Sequence, residues 1–336
     1  MLAQRGTWQM TFFDILNFDF LSFHLTLIGI FIILALSLNL INGFSGMFSL
    51  GHQGFWAVGA YAAGISILYC DFLPAPMLFL LSLIVGASVA ALFGLGVGVP
   101  CLRLAGDYLA IATLGFGEIV RILFENLQTE KIHGPLGFEI PALLVPRAGE
   151  FIVAYNLIYL ALIWTFVILT IIIIRNIVKS SHGRAILSLR DDEVAAELIG
   201  INTTRYKVLV FVIGAALAGL AGALFVNFKT DTNPKDFALL QGIVILVYVV
   251  LGGMGSISGT IMAVIVLYSA EQTLKLELFG WFGEDIGKLA AKWWQVIFPL
   301  ILIVLMLIRP QGIMGKKEIT QLPLYRKLTA LLRRQK

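Results

Sequence analysis

Charge is scarce in this chain. Of 336 residues only 24 are Lys or Arg and 20 are Asp or Glu, so charged residues make up 13%, against roughly 25% in a soluble domain. With 59% hydrophobic residues and a mean hydropathy of +0.93, most side chains must face lipid or other buried helices. Cysteine is nearly missing. Cys70 and Cys101 fall at opposite ends of one apolar run, which excludes a disulfide framework and disfavours a bridge between them. His24, His52, His133 and His182 are scattered without metal-ligand spacing, and there is no H-E-x-x-H. No Walker A run is present, so the chain does not itself bind ATP through a phosphate loop. Gly94, Gly96 and Gly98 form a G-x-G-x-G, but it lies inside an apolar run with no strand before it. Neither an enzyme nor a metal or cofactor site is expected. The net charge of +4 does not indicate nucleic acid either, because Lys and Arg sit beside the apolar runs and in the tail.

What the chain has is long apolar runs with little strand alternation, which favours an all-α bundle over a barrel. A span needs roughly 20 apolar residues. Candidates fall at about 24–42, 53–70, 77–98, 108–127, 151–175, 206–227, 239–252, 257–275 and 293–309. About nine spans are expected, with eight to ten allowed, in one integral membrane domain over 24–309. Residues 1–23, with Arg5, Asp14, Asn17 and Asp19, make a poor signal peptide and read as an interfacial helix or weakly ordered lead-in. Residues 310–336 form a basic tail. Trp293 and Trp294 read as interfacial anchors, and Glu271 and Gln272 end a span where a surface position is expected.

Orientation follows from the cations. Arg175, Lys179, Arg184, Arg190, Arg205 and Lys207 crowd one interruption, 176–207, and the tail carries eight more, from Arg309 to Lys336. Both are expected in the cytoplasm. Residues 228–238 and 128–150 are then outside, as is the N-terminus if there are nine crossings.

The 176–207 interruption is itself patterned. Asp191 or Asp192 suits a helix start, and three acidic residues suit its positive end. Val194, Leu198 and Ile201 recur at helical spacing, Gly200 is a natural stop, and Asn202 and Thr203 suit the start of the next helix. A short amphipathic helix over Asp191 to Ile199, between two spans, points to a partner outside the bilayer. The alternative is a solvated loop that happens to be helical.

Glycines bunch at Gly43, Gly46, Gly51, Gly54 and Gly59, and again at Gly252, Gly253, Gly255 and Gly259. Irregular backbone at membrane depth is tolerated only in protein or around a cavity, so the two breaks point to a substrate path through Gly-rich, broken spans. Close packing through small residues is the other reading, and it accounts for Gly214, Ala218 and Gly222. Polar residues near the breaks join the path candidates: Ser45, Gly46, Ser49, His52, Gln53, Thr113, Glu118, Gly252, Gly253 and Ser256. His52 is either a substrate contact or a satisfied structural group. Glu118 and Arg121 lie three apart on one helix face and can pair.

Four segments in order carry a resemblance that covers most of the chain. N-L-I-N-G-F-S-G-M-F-S-L-G-H-Q-G-F-W-A-V-G-A-Y (39–61), G-D-Y-L-A-I-A-T-L-G-F-G-E-I-V-R (106–121), G-R-A-I-L-S-L-R-D-D-E-V-A-A-E-L-I-G-I-N-T-T-R-Y-K (183–207) and L-G-G-M-G-S-I-S-G (251–259) resemble permeases of bacterial branched-chain amino acid ABC importers. The length and second segment look more like the LivM type than its LivH-type partner. Urea and short-amide permeases have similar signatures. The resemblance implies a multi-pass subunit of the bacterial inner membrane. Beside it stand a homologous LivH-type permease, two cytoplasmic ATP-binding subunits, a periplasmic substrate-binding protein and a small amino-acid substrate. The third segment contains a variant of the family's cytoplasmic E-A-A…G loop, which implies ATPase coupling through Arg190, Asp191, Glu193, Val194, Ala195, Ala196, Glu197, Leu198 and Gly200. A neutral zwitterion with an apolar side chain needs a path walled by polar backbone and small residues. A self-sufficient secondary transporter and a membrane scaffold are the competing readings.

Overall fold

The computed structural model describes residues 18–275, apart from 71, 103–105, 142 and 144–151, together with residue 300. The apolar runs become helices because a helix satisfies its own backbone where no water is available. In chain order these are α1 (Phe18–Asn39), α2 (His52–Tyr69), α3 (Ala75–Cys101), α4 (Asp107–Glu125), α5 (Ile152–Lys179), α6 (Ser181–Asp191), α7 (Glu193–Leu198), α8 (Thr203–Lys229), α9 (Leu239–Gly252) and α10 (Ile257–Lys275). Eight of the nine expected spans correspond to α1–α5 and α8–α10. The ninth, 293–309, lies outside the described residues, as does the basic tail. Five stretches, Phe20–Phe44, Ala75–Cys101, Leu157–Lys179, Thr203–Lys229 and Pro234–Gly252, are long and apolar enough to cross a membrane. α4 is more polar, carrying Asp107, Glu118, Arg121 and Glu125.

Two boundaries differ from expectation. α1 begins at Phe18, so residues 18–23 are helical, one of the two readings given for them, but continuous with the first span rather than separate from it. Their aromatic side chains find neighbours: Phe23 packs on Phe228, and Phe20 lies on His24, whose Nδ1 is 3.1 Å from the Tyr268 hydroxyl. Glu271 is buried rather than at a surface, since α10 packs against α1 and α9 and the Tyr248 hydroxyl donates to its carboxylate at 3.5 Å.

The core is the crossing of α2, α3 and α8. In lipid there is no hydrophobic drive between helices, so close approach of small residues supplies the attraction. A Cβ on Gly86 would lie 2.8 Å from the Gly59 carbonyl oxygen and 2.9 Å from Ala223 Cβ, and one on Gly59 would overlap Gly219. Gly214 and Gly222 serve the same purpose, one against Ile41 and the other against the α2 backbone at Trp56 and Ala60. Buried Asn227 adds a hydrogen bond from Nδ2 to Ser82 Oγ at 2.9 Å.

Two groups of described connections lie at opposite ends of the bundle. At one end β1 (Phe138–Glu139) pairs antiparallel with β2 (Asp231–Thr232), Phe138 opposite Thr232. A 3-10 turn, Pro234–Phe237, follows with a capping box from Asn233 and Asp236, and Lys229 holds the Asp236 carboxylate at 2.8 Å. Lys131 donates to the Leu68 carbonyl. α8 spans 27 residues, about 40 Å at 1.5 Å per residue, and its first turn adjoins α6 and α7 at the other end. Segments 128–141 and 230–238 are therefore neighbours, opposite the cation-rich 180–207.

Candidate coupling and translocation site

α6 and α7 are separate helices where one helix over Asp191 to Ile199 was expected. Ser180 caps α6 by accepting from the Gly183 N–H at 3.1 Å. Asp192 is extended (φ −161°, ψ 112°) and its carboxylate caps α7, accepting from the Ala195 N–H at 3.0 Å. Asp191 belongs to α6. Such a break suits an Asp pair, because Asp competes with helical hydrogen bonding and favours caps.

α7 ends in a Schellman motif. Gly200 N–H donates to Glu197 O at 2.9 Å and Ile201 N–H to Ala196 O at 3.0 Å, with Gly200 at φ +85°. Asn202 then caps α8 by accepting from the Arg205 N–H at 3.0 Å. Two further bonds fasten α7 sideways: Glu193 pairs with Lys207, and Thr203 Oγ1 donates to Glu197 at 2.6 Å. This six-residue helix is held at both ends and along one side. Its outer face is nevertheless apolar, with Val194 68%, Leu198 83% and Ile199 75% exposed. Ile199 takes the place expected for Ile201, which is half-buried.

Arg190 and Ala196, grouped with the exposed coupling residues from sequence, turn inwards. Ala196 is buried against the bundle, because α7 starts afresh at Asp192 and its register differs from that of a continuous helix. The Arg190 side chain runs towards the two glycine breaks. Its Nη1 donates to the Gly43 carbonyl at 2.8 Å. A Cβ on Gly46 (φ +75°) would lie 2.8 Å from Arg190 Cγ, and one on Gly255 would lie 2.6 Å from Nη1.

The breaks meet at this point. α1 loosens into a π turn, Leu40–Phe44, and α9 gives way to α10 through residues 253–256. Asn39 joins them: its Nδ2 donates to Ser256 O (3.0 Å) and Thr260 Oγ1 (2.9 Å), and the Gly255 N–H donates to its Oδ1 (2.8 Å). A Cβ on Gly43 would overlap the Gly255 nitrogen. Gly252 packs on Gly259 and Thr260, and the Gly259 N–H donates to Ser256 Oγ at 3.1 Å.

From this junction the first break climbs back into the bundle. His52 Nε2 lies 2.7 Å from Ser37 Oγ, and Phe44 is seven residues beyond Ser37, about 10 Å further along the helix. α2 therefore starts inside the bundle. Its antiparallel course beside α1 is marked by Phe31 against Trp56. Residues 45–51 cross that depth without helical bonds, so side chains must satisfy their backbone. Asn42 grips Ser49, accepting its N–H at 3.2 Å and donating to its carbonyl at 3.1 Å. Thr113 Oγ1 accepts from the Leu50 N–H at 3.0 Å. Ser45 Oγ bonds back to Ile41 O at 2.6 Å. Because the Ser37 proton goes to Leu34 O (2.8 Å), His52 Nε2 is the donor to Ser37.

Gln53 then stands where α2, α4 and α9 converge. It is wholly buried, and neither Nε2 nor Oε1 meets a hydrogen-bonding partner among the described residues. Two glycines make its space: a Cβ on Gly117 would lie 2.7 Å from Nε2, and one on Gly242 would overlap Oε1. Further along α2, Trp56 Nε1 and Tyr61 Oη are also without partners there, among Phe124, Phe225 and Phe237. Leaving a buried polar group unpaired costs about 1–3 kcal/mol, so this row is a poor design for packing alone.

Of the expected path residues, Ser45, Gly46, Ser49, Thr113, Gly252, Gly253 and Ser256 build the two breaks, His52 and Gln53 open α2, and Glu118 stands apart. Glu118 pairs with Arg121 at 2.8 Å, and Arg121 also holds Glu125 at 2.9 Å, on the half-exposed face of α4. Sequence reasoning passed over Asn39, Asn42, Gly117 and Gly242. The two asparagines sit in an otherwise apolar run, a signal that was available.

Comparison with known proteins follows the same lines. Residues 20–307 match the family described as branched-chain amino acid transport system / permease component. The LivM high-affinity branched-chain amino acid permease protein of Salmonella typhimurium is 36% identical over 310 residues, covering 86% of this chain and 68% of that protein. BraD of Pseudomonas aeruginosa is 28% identical over 315 residues (88% and 94%), and LivH of Escherichia coli 26% over 305 residues (88% and 94%). No solved structure matches. The chain thus belongs to the branched-chain amino acid transport permease family, as a permease of the LivM type.

Proposed function

We propose that this chain is one membrane-spanning half of an ATP-driven importer that carries branched-chain or other small neutral amino acids into the bacterial cytoplasm. A LivH-type permease forms the other half, two ATP-binding subunits supply energy, and a periplasmic binding protein delivers substrate. The observation that carries this reading is α7. A short helix locked by two caps, an ion pair and a threonine bond still presents Val194, Leu198 and Ile199 outwards. Covering an aliphatic side chain is worth about 1.5–3 kcal/mol, and a stiff helix passes on motion that a loose loop would absorb. The cations around it, and those of the tail, support a cytoplasmic position for this end and for the C-terminus.

For the path, the supporting features are the irregular segment 45–51, in which Ser45, Met47 and Ser49 are buried, and the unpaired polar atoms of Gln53, Trp56 and Tyr61 among aromatic rings. That mixture suits a zwitterion with an aliphatic side chain. The test is reconstitution. Proteoliposomes holding both permeases and the binding protein should take up leucine only when the ATPases and ATP are enclosed. Uptake without ATPase would replace this reading with a self-sufficient transporter.

A further inference from the structure

We infer that Arg190 is a transmission strut: it carries movement of the coupling segment into the membrane-embedded helices and takes no part in gripping the ATPase. The inference rests on the proposed coupling role of 181–200 and adds a separate residue with a separate task.

Three observations converge on it. First, the charges of α7 are committed to α8, through Glu193 to Lys207 and Glu197 to Thr203. They fasten α7 to one helix only. Second, Arg190, in the last turn of α6, turns its side chain inwards, with 20% of it exposed and Nε 3.9 Å from the Asp191 carboxylate, and reaches the glycine breaks. Its guanidinium donates to Gly43 O at 2.8 Å, and both Gly46 and Gly255 lack the Cβ that would collide with it. Third, those breaks are already bolted together by Asn39, which bonds Gly255, Ser256 and Thr260 at 2.8–3.0 Å. α1, α9 and α10 meet at this junction, and residues 45–51 lead from it to α2. A shift of α6 along the Arg190 side chain therefore acts on four helices together, including α2 and α9, which flank Gln53.

Arginine suits the task. Its planar guanidinium stays charged and holds several donors in fixed directions, whereas a lysine ammonium pivots on a flexible stem. A neutral substitute would keep the packing of the stem and lose the directed bond. Two discrete arrangements of packed helices, biased through a stiff contact, are what converts a small displacement at one site into opening at another.

The experiment uses the complete transporter, with both permeases and ATPases, in proteoliposomes supplied with loaded binding protein. Arg190→Ala and Arg190→Gln should assemble, retain the ATPases on purification and hydrolyse ATP within about twofold of the parent. Leucine taken up per ATP hydrolysed should fall at least tenfold, and Arg190→Lys should recover part of it. An unchanged ratio overturns the strut, as does uptake that falls only in proportion to assembled complex across the three variants. Loss of the ATPases from Arg190→Ala would place Arg190 in the docking surface and overturn it too. Failure of the docking reading shows elsewhere, as retention of the ATPases by Leu198→Asp.

Discussion

Replacing Asn39 by alanine tests whether the two glycine breaks form one junction. The substitution removes three hydrogen bonds, to Ser256 O, to Thr260 Oγ1 and from the Gly255 N–H. Interhelical bonds in membrane proteins average about 0.6 kcal/mol, rising to about 1.7, which gives roughly 2 kcal/mol or more for the three. Ser256 O keeps the Thr260 hydroxyl at 2.9 Å, so it is not orphaned. The Gly255 N–H loses the acceptor that Asn39 provides, and an unpaired buried donor costs about 1–3 kcal/mol. Counting the Gly255 bond once, through its unpaired donor, the expected total is about 2–4 kcal/mol. The assay is reversible unfolding of the purified permease in mixed micelles of rising SDS fraction, followed by far-UV circular dichroism. Asn126→Ala is the control, since Asn126 is exposed and bonds only to its own helix at Ile122 O; it should shift stability by less than about 0.5 kcal/mol. If Asn39→Ala shifts it no more than this control, the junction is not what holds the breaks together.

Two other expectations follow from the same geometry. Gln53→Leu fills a similar volume without unpaired polar atoms, so stability should hold or rise by about 1 kcal/mol while leucine uptake falls at least tenfold; unchanged uptake would remove Gln53 from the path. For sidedness, Cys70 and Cys101 are first replaced by serine, and single cysteines are then placed at Glu139 and Asp191, both exposed. In intact spheroplasts a membrane-impermeant maleimide should label position 139 only, and labelling of position 191 would invert the orientation.

The spans were legible because each is a long apolar run, and α7's stop because Gly200 followed a helical pattern and preceded a capping asparagine. The direction of Arg190 was not. It depends on the break at Asp192, and two adjacent aspartates allowed either one to begin the helix. A one-residue change in that start rotates every later side chain by about 100°, enough to turn Ala196 inwards and bring Ile199 out. Asn39 was hidden for another reason: its partners lie 216 to 221 residues away in sequence, and no local period reports such a pairing. The row from Gln53 to Tyr61 needed the positions of α4 and α9, since the lack of partners for its polar atoms is a property of neighbours. Thr113 was singled out as a polar residue near the path, and its bond to the Leu50 N–H gives it a task that its own helix does not suggest.

α7 is the proposed place where this permease takes hold of its ATPase. Leu198→Asp puts a charge at the centre of the exposed apolar face without touching a cap, the Glu193–Lys207 pair or the Thr203 bond. Losing the burial of one leucine costs about 1.5–3 kcal/mol, and each 1.4 kcal/mol is tenfold in affinity, so ATPase binding should weaken by at least about tenfold before any cost of desolvating the carboxylate. The direct measurement is the amount of ATPase that co-purifies with an affinity-tagged permease from membranes holding equal amounts of parent or variant. Leu198→Asp should insert normally and lose its ATPase; a full complement of ATPase on the variant would rule out α7 as the docking helix.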